Sequence, residues 1–270
     1  MGRSLFLMTG WLLASLCCAE ELSPERPVRL VADDWCPQHC EQVEGYRGYI
    51  VDIVSRALEL EHVPFTIAYQ PWLRAMKSVQ DGDYDGLLTP TVDGYPELNF
   101  IFHEQAVGYQ DYCFFVTKGS SWQFTDFADL HGMRLSYLKD SGFGPLNDYL
   151  ARHPKDIQVY EFSGGKGFTS TIFEFLSRDR ADVIIMTSDV YEFALKRGDI
   201  RDRFRSAGCL GHEKLAVGLS PVNPQRAKAI AAALDEGIRQ LTASGEMASI
   251  LARYGMQLWP EAGQPAEALP

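Results

Sequence analysis

The sequence predicts an α/β protein of two lobes, each a mixed, mainly parallel sheet flanked by helices. Three observations carry this. Short apolar runs alternate with segments whose apolar residues recur at helical spacing. That alternation completes one βαβαβ set, changes character near residue 112, and then completes a second. The chain has 270 residues, 46% of them apolar and 12% aromatic, which is enough for two cores.

The elements follow in order. Val28–Ala32 reads as a strand. Ile50, Ile53, Val54, Ala57 and Leu58 mark one helix face. Phe65–Tyr69 is a second strand; Trp72, Ala75, Met76 and Val79 mark a second helix; Tyr84–Leu88 is a third strand. Tyr112–Val116 then opens the second set, followed by a strand over Arg134–Tyr137 and a helix around Leu146–Ala151. Ile157–Tyr160 is a strand, Phe168–Leu176 a helix and Ala181–Met186 a buried strand. Leu215–Leu219 is a further strand. A long helix face runs from Ala227 through Ile230, Leu234 and Ile238 to Leu241, and Met247, Ile250, Leu251 and Tyr254 continue with another. The segment 257–270 holds Pro260, Pro265 and Pro270 and is expected to be a disordered tail. No Gly/Ser linker separates the two sets, so facing lobes should form a cleft at the carboxyl ends of their strands.

The net charge is −11, from 25 basic and 36 acidic residues, with no basic run of five or more. Nucleic acid is therefore not an expected partner, because its affinity is built from many phosphate contacts. Residues 1–19 read as a secretory signal: Arg3 gives the positive start, Leu5–Cys18 is short and almost wholly apolar, and the small Ala19 precedes two acids. Cleavage leaves Cys36, Cys40, Cys113 and Cys209 in an oxidising compartment. Cys36 and Cys40 can close a small disulfide loop; a soft-metal site or free thiols are the alternatives. Cys113 and Cys209 pair only if the fold brings their Cα atoms within about 7 Å.

Several segments, in order, resemble the extracellular solute-binding proteins of family 3, the periplasmic type II binding proteins of polar amino acid ABC transporters. Asp34-Trp35-Cys36-Pro37 resembles the family's aromatic-plus-proline loop after the first strand. Gly48-Tyr49-Ile50-Val51-Asp52 resembles its entry to the first helix, and Gly82-Asp83-Tyr84-Asp85-Gly86 its glycine–x–Tyr–Asp segment. Phe127-Ala128-Asp129-Leu130-His131-Gly132 resembles the step that opens the second lobe. Arg180-Ala181-Asp182-Val183 resembles a strand entry, and Gly245 to Gly255 the closing helix. The resemblance covers about Val28 to Gly255. It implies lobe 1 over 26–112 plus 213–256, lobe 2 over 113–212, two crossover strands, and a small ligand clamped by hinge motion. It also implies a periplasmic monomer that serves a membrane permease, with no cofactor, no metal and no catalysis. A ligand sensor signalling to a membrane receptor and a dehydratase-like enzyme are the rival readings. The enzyme would need an acid or base in the cleft, for which Glu104 and Asp189 are the candidates.

Candidate ligand contacts follow from the same resemblance. Trp35 falls at the family's stacking position; a core tryptophan is the alternative. Trp72 and Arg74 open the second helix, where a guanidinium beside a helix N-terminus suits an anion; packing and a solvated face are the alternatives. Ser141, Gly142 and Phe143 lie in the lobe-2 turn that presents N–H groups and a hydroxyl, although Ser141 would equally serve as a helix cap. Thr89, Thr187 and Asp189 complete the set. Two departures stand out. The family's carboxylate-binding arginine falls at Gly94, and its ammonium-binding aspartate at Thr187. A zwitterion in a closed cleft needs partners for both charges, so an ordinary α-amino acid is not the expected ligand.

Other signals are set aside. Asp81-x-Asp83-x-Asp85-Gly86 starts like a calcium loop, but Val92 stands where its bidentate glutamate belongs. Gly164-Gly165-Lys166-Gly167 lacks phosphate-loop spacing. His62, His131 and His153 read as surface residues.

Overall fold

A computed structural model of the chain describes residues 22–41, 43–92, 95–165 and 167–259. The expected leader over 1–19, Gly94 and most of the expected tail over 257–270 lie outside the described residues. The elements run β1 (Val28–Ala32), α1 (Tyr49–Leu60), β2 (Phe65–Tyr69), α2 (Trp72–Gln80), β3 (Gly86–Leu87), β4 (Ile101–Phe102) and β5 (Gly108–Thr117). There follow β6 (Arg134–Leu138), α3 (Pro145–Arg152), β7 (Gln158–Phe162), α4 (Phe168–Ser177), β8 (Val183–Thr187) and α5 (Ser188–Arg197). The last elements of the described residues are β9 (Phe204–Leu215), β10 (Gly218–Leu219), α6 (Pro224–Ser244) and α7 (Glu246–Tyr254).

The strands form two five-stranded sheets, in the orders β2-β1-β3-β10-β4 and β7-β6-β8-β5-β9. Both are mixed. In each, one strand pairs in parallel with two neighbours, β1 with β2 and β3, β6 with β7 and β8. The other pairings are antiparallel, a larger share than the βαβαβ pattern suggests. The reason is the return path: β10 re-enters the first sheet from the second, and β5 and β9 run alongside one another between the lobes. β5 and β9 pair from Thr117↔Phe204 down to Gly108↔Leu215. That register sets Cys113 opposite Cys209, and the two form a disulfide.

The two lobes repeat one device at the start of their central strands. Asp85, just before β3, accepts the Arg29 N–H of β1 at 2.8 Å. Asp182, just before β8, accepts the Arg134 N–H of β6 at 2.8 Å. These are the aspartates of two of the motif segments noted in the sequence. In each lobe the carboxylate satisfies a backbone donor that the short ladder leaves unpaired.

The first core packs α1, α6 and α7 on one face of the first sheet, and all five apolar positions marked on α1 are fully buried. Gly237 of α6 lies against the backbone of α1; a Cβ there would stand 2.3 Å from the Ala57 carbonyl oxygen. The second sheet carries a core on each face, one around Phe115, Phe173 and Ile184 and one around Phe114, Leu135 and Leu146. α5, a helix without a clear apolar stripe in the sequence, crosses between lobes: its Phe193 belongs to the core of the first lobe. Tyr46 meets the Phe193 ring edge-on at 5.1 Å, and Arg197 lies over both rings.

Candidate functional site

The loop between β1 and α1 is closed by a disulfide between Cys36 and Cys40. It is also folded on itself, with Trp35 N–H bonded to His39 O and Cys40 N–H to Arg47 O. It then passes under the start of α1. Gly48 has φ 105°, and a Cβ there would lie 2.3 Å from the Gln38 carbonyl oxygen, so only glycine fits this contact. The motif aspartate Asp52 accepts from the Tyr254 hydroxyl at 2.6 Å, and that hydroxyl accepts the Gly48 N–H. The helix-entry motif and the closing helix are thus one hydrogen-bonded unit.

This loop forms one wall of a chamber between the lobes. Asp33, Trp35, Gln38 and His39 come from the loop, Trp72 from the start of α2, and Thr89, Thr91 and Tyr95 from the segment after β3. The crossover strand β5 supplies Gln110 and Tyr112. The turn after β6 supplies Leu138, Lys139, Asp140, Ser141 and Gly142. The chamber has a volume of about 70 Å³. Past Trp35, Trp72 and Asp140 it opens into a groove of about 780 Å³ that reaches Phe168 and Arg197.

Thr89 is buried and holds φ 58°, a left-handed conformation rare for a β-branched residue. It is bonded to His39: Thr89 Oγ1 lies 2.5 Å from His39 Nε2. His39 Nδ1 faces the Asp33 carbonyl at 3.0 Å and its carboxylate at 3.2 Å, both acceptors. In a neutral imidazole this geometry puts the proton on Nδ1 and makes the threonine hydroxyl the donor to Nε2. On the other lobe Asp140 also holds positive φ, 63°. Backbone strain therefore faces the chamber from both sides.

The lobes touch across the chamber. Tyr95 packs against Gly142 so closely that a Cβ on the glycine would be 2.7 Å from the phenol oxygen. Trp72 Nε1–H donates to the Tyr95 hydroxyl at 3.2 Å. Trp35 meets Phe168 of the second lobe with centroids 5.9 Å apart. Behind the chamber, Asp189 of α5 is buried and accepts from Gln38 at 3.1 Å and from the Tyr49 hydroxyl at 3.5 Å. Burial pushes the Asp189 carboxyl up, against the hydrogen bonds it accepts.

Of the residues singled out in the sequence, Trp35, Trp72, Thr89, Ser141 and Gly142 line the chamber together. The other four do not. Arg74 lies on the exposed side of α2. Phe143 is buried against Tyr112 and Tyr137 in the second lobe's core. Thr187 is fully buried, and Asp189 is enclosed by Gln38 and Tyr49. Glu104, a candidate acid for the enzyme reading, is exposed, and neither it nor Asp189 lines the chamber. Sequence reasoning missed Gln38, His39, Tyr95, Gln110 and Tyr112. The first two carried a signal, since the cysteine loop fixes them beside Trp35; the others are placed by the crossover and by lobe contact.

No family model matches the chain, and no curated protein matches it in sequence. Solved structures match it well and mainly are substrate-binding proteins of amino acid ABC transporters. A histidine kinase sensor domain with similarity to periplasmic binding proteins superposes with a TM-score of 0.70 at 15% identity, covering 87% of this chain and 98% of that one. A putative L-cystine ABC transporter protein from Listeria monocytogenes gives 0.68 at 17% identity, covering 85% and 95%. A mutant of ArgBP from T. maritima gives 0.66 at 18%, covering 87% and 97%. The chain has the type II periplasmic binding protein fold.

Proposed function

We propose that this chain is an exported solute-binding protein that captures a small polar ligand between its lobes and delivers it to an ABC permease. The observation that carries the reading is the chamber itself. It lies at the carboxyl ends of β1, β3 and β6, between two α/β lobes, where ligands of such sheets bind. Trp35, Trp72 and Tyr95 would supply flat apolar walls. Thr89, Gln110, Ser141 and the backbone at Gly142 would supply hydrogen bonds. On this reading the ligand is not an ordinary α-amino acid: the positions that the resemblance assigns to the arginine and aspartate of amino acid binders hold Gly94 and Thr187, and the buried Thr187 is not among the chamber's lining.

The experiment is a thermal-shift panel on the mature protein with α-amino acids, dicarboxylates, polyamines, sugars and short peptides. Ligand at a hundred times Kd adds about 2.7 kcal/mol, roughly 5–10 °C for a chain of this size. A shift that is lost in Trp35→Ala supports capture in the chamber. A shift with ordinary α-amino acids would refute the ligand class while leaving the role intact. No shift with any class would count against capture.

The sensor reading has its own support in the likeness to a histidine kinase sensor domain. Affinity capture with the liganded protein distinguishes the two: a permease is recovered if the chain serves import, a receptor if it signals.

A further inference from the structure

We propose that His131, His153 and Asp156, on the outer surface of the second lobe, form a binding site for a divalent transition-metal ion of the zinc class. One ligand atom from each residue lies within 4.8 Å of the other two. His153 Nδ1 and Asp156 Oδ2 are 3.0 Å apart. Two ligands of a tetrahedral zinc ion, each about 2.0–2.1 Å from the metal, stand roughly 3.3 Å from one another. This pair is therefore already spaced as one edge of a coordination tetrahedron, and His131 stands within 4.8 Å as the third donor. A neutral imidazole pair with one carboxylate is a donor set that zinc, copper and nickel ions favour over calcium or magnesium.

The three residues come together only in the fold. His153 caps α3, with its N–H bonded to the Tyr149 and Leu150 carbonyls. Asp156 N–H bonds the His153 carbonyl, and the Asp156 carbonyl accepts the Gly132 N–H at 2.7 Å, next to His131. Backbone hydrogen bonds thus hold all three positions in one frame. Tyr149 orients both imidazoles. Its ring stacks on His153 with centroids 4.3 Å apart, and its hydroxyl lies 2.8 Å from His131 Nε2. Such outer partners fix ring orientation in metal sites. The cluster shares no residue with the chamber. His131 and Asp156 are exposed, which leaves the fourth coordination position open to water or to a partner's side chain.

The test is isothermal titration of tag-free, metal-free protein with zinc chloride, for the wild type and for His131→Ala, His153→Ala, Asp156→Asn and the remote control His62→Ala. Thermal melts of the metal-free proteins establish that all are folded. The expected result is one ion per chain, with affinity at least about tenfold weaker in each ligand variant and unchanged in the control. Cobalt(II) in place of zinc should give the visible absorption of a four-coordinate site, lost in His153→Ala. Failure to bind a stoichiometric ion, or equal binding by the three ligand variants, would overturn the site and leave the cluster a stacked surface network.

Discussion

Gly142 and Asp85 show how single positions act in this molecule. Gly142 lets the second lobe approach the Tyr95 phenol, and its missing side chain is the space the contact needs. Gly142→Val should hold the lobes apart at this point and weaken ligand by at least about tenfold, equivalent to 1.4 kcal/mol, with little change in the melting temperature of the ligand-free protein. Calorimetric titration with the ligand found in the panel measures it. Asp85 matters to stability instead. It receives the fully buried Arg226 guanidinium, at 2.8 Å to Nε and 3.2 Å to Nη2, beside the Arg29 N–H. Burial pushes its carboxyl up, but the hydrogen bonds and charge of Arg226 and Arg29 outweigh this and hold it below its usual value. Asp85→Ala would remove the carboxylate that balances the buried guanidinium's charge, leaving it the Arg26 and Pro27 carbonyls, and should cost about 3–5 kcal/mol. A carboxylate with a lowered pKa contributes stability above its unfolded value, near 3.9, and loses that contribution as pH falls through the folded value. The variant's deficit in chemical denaturation should therefore shrink as the pH is lowered below about 4.

The two disulfides close elements of very different size, with sequence separations of 4 and 96. Chain-entropy arguments give the short loop about 2 kcal/mol and the long one about 4.7 kcal/mol. The functional weight should be reversed, because the short loop carries Trp35, Gln38 and His39 into the chamber while the long one ties β5 to β9. Cys113→Ser with Cys209→Ser should lower the melting temperature more. Cys36→Ser with Cys40→Ser should lower ligand affinity more. Thermal melts and titrations on both pairs check this, and the reverse order in either measurement would contradict it.

Capture between the lobes, as proposed, requires them to open, and α5 stands in the way of that motion. Asp189, Phe193 and Arg197 of this second-lobe helix all contact the first lobe. Asp189→Ala removes the acceptor for Gln38 and Tyr49, and small-angle scattering of the ligand-free variant should show a larger radius of gyration. The pH dependence has the opposite sign to that of Asp85. Burial raises the Asp189 pKa, so its ionised form is disfavoured in the folded protein. The contribution of Asp189 to folded stability is then highest at low pH and falls as pH rises from the unfolded value, near 3.9, towards the folded one. Denaturant midpoints of the wild type and Asp189→Ala, followed upward from pH 4, should differ in slope for this reason.

The sequence by itself determined the elements whose signal is local. The apolar stripe of α1, the alternation of the first lobe's strands and the Gly48–Asp52 entry each depend on neighbours within a few residues, and periodicity reports them. β9 gives no local signal because it is a half-exposed edge strand, lacking a continuous apolar run, and α5 gives a weak one because its short Val190, Phe193, Ala194 face is divided between two lobes. Trp35, Trp72, Thr89, Ser141 and Gly142, named from the family resemblance, line the chamber together because they sit at strand ends and helix starts, which chain order places. Only the tertiary structure decided the rest. The Cys113–Cys209 register, the contact of Tyr95 with Gly142, the enclosure of Asp189 and the meeting of His131 with His153 and Asp156 join residues remote in the chain. Such pairings are set by how sheets stack and lobes meet, and burial and distance exist only once the chain has folded.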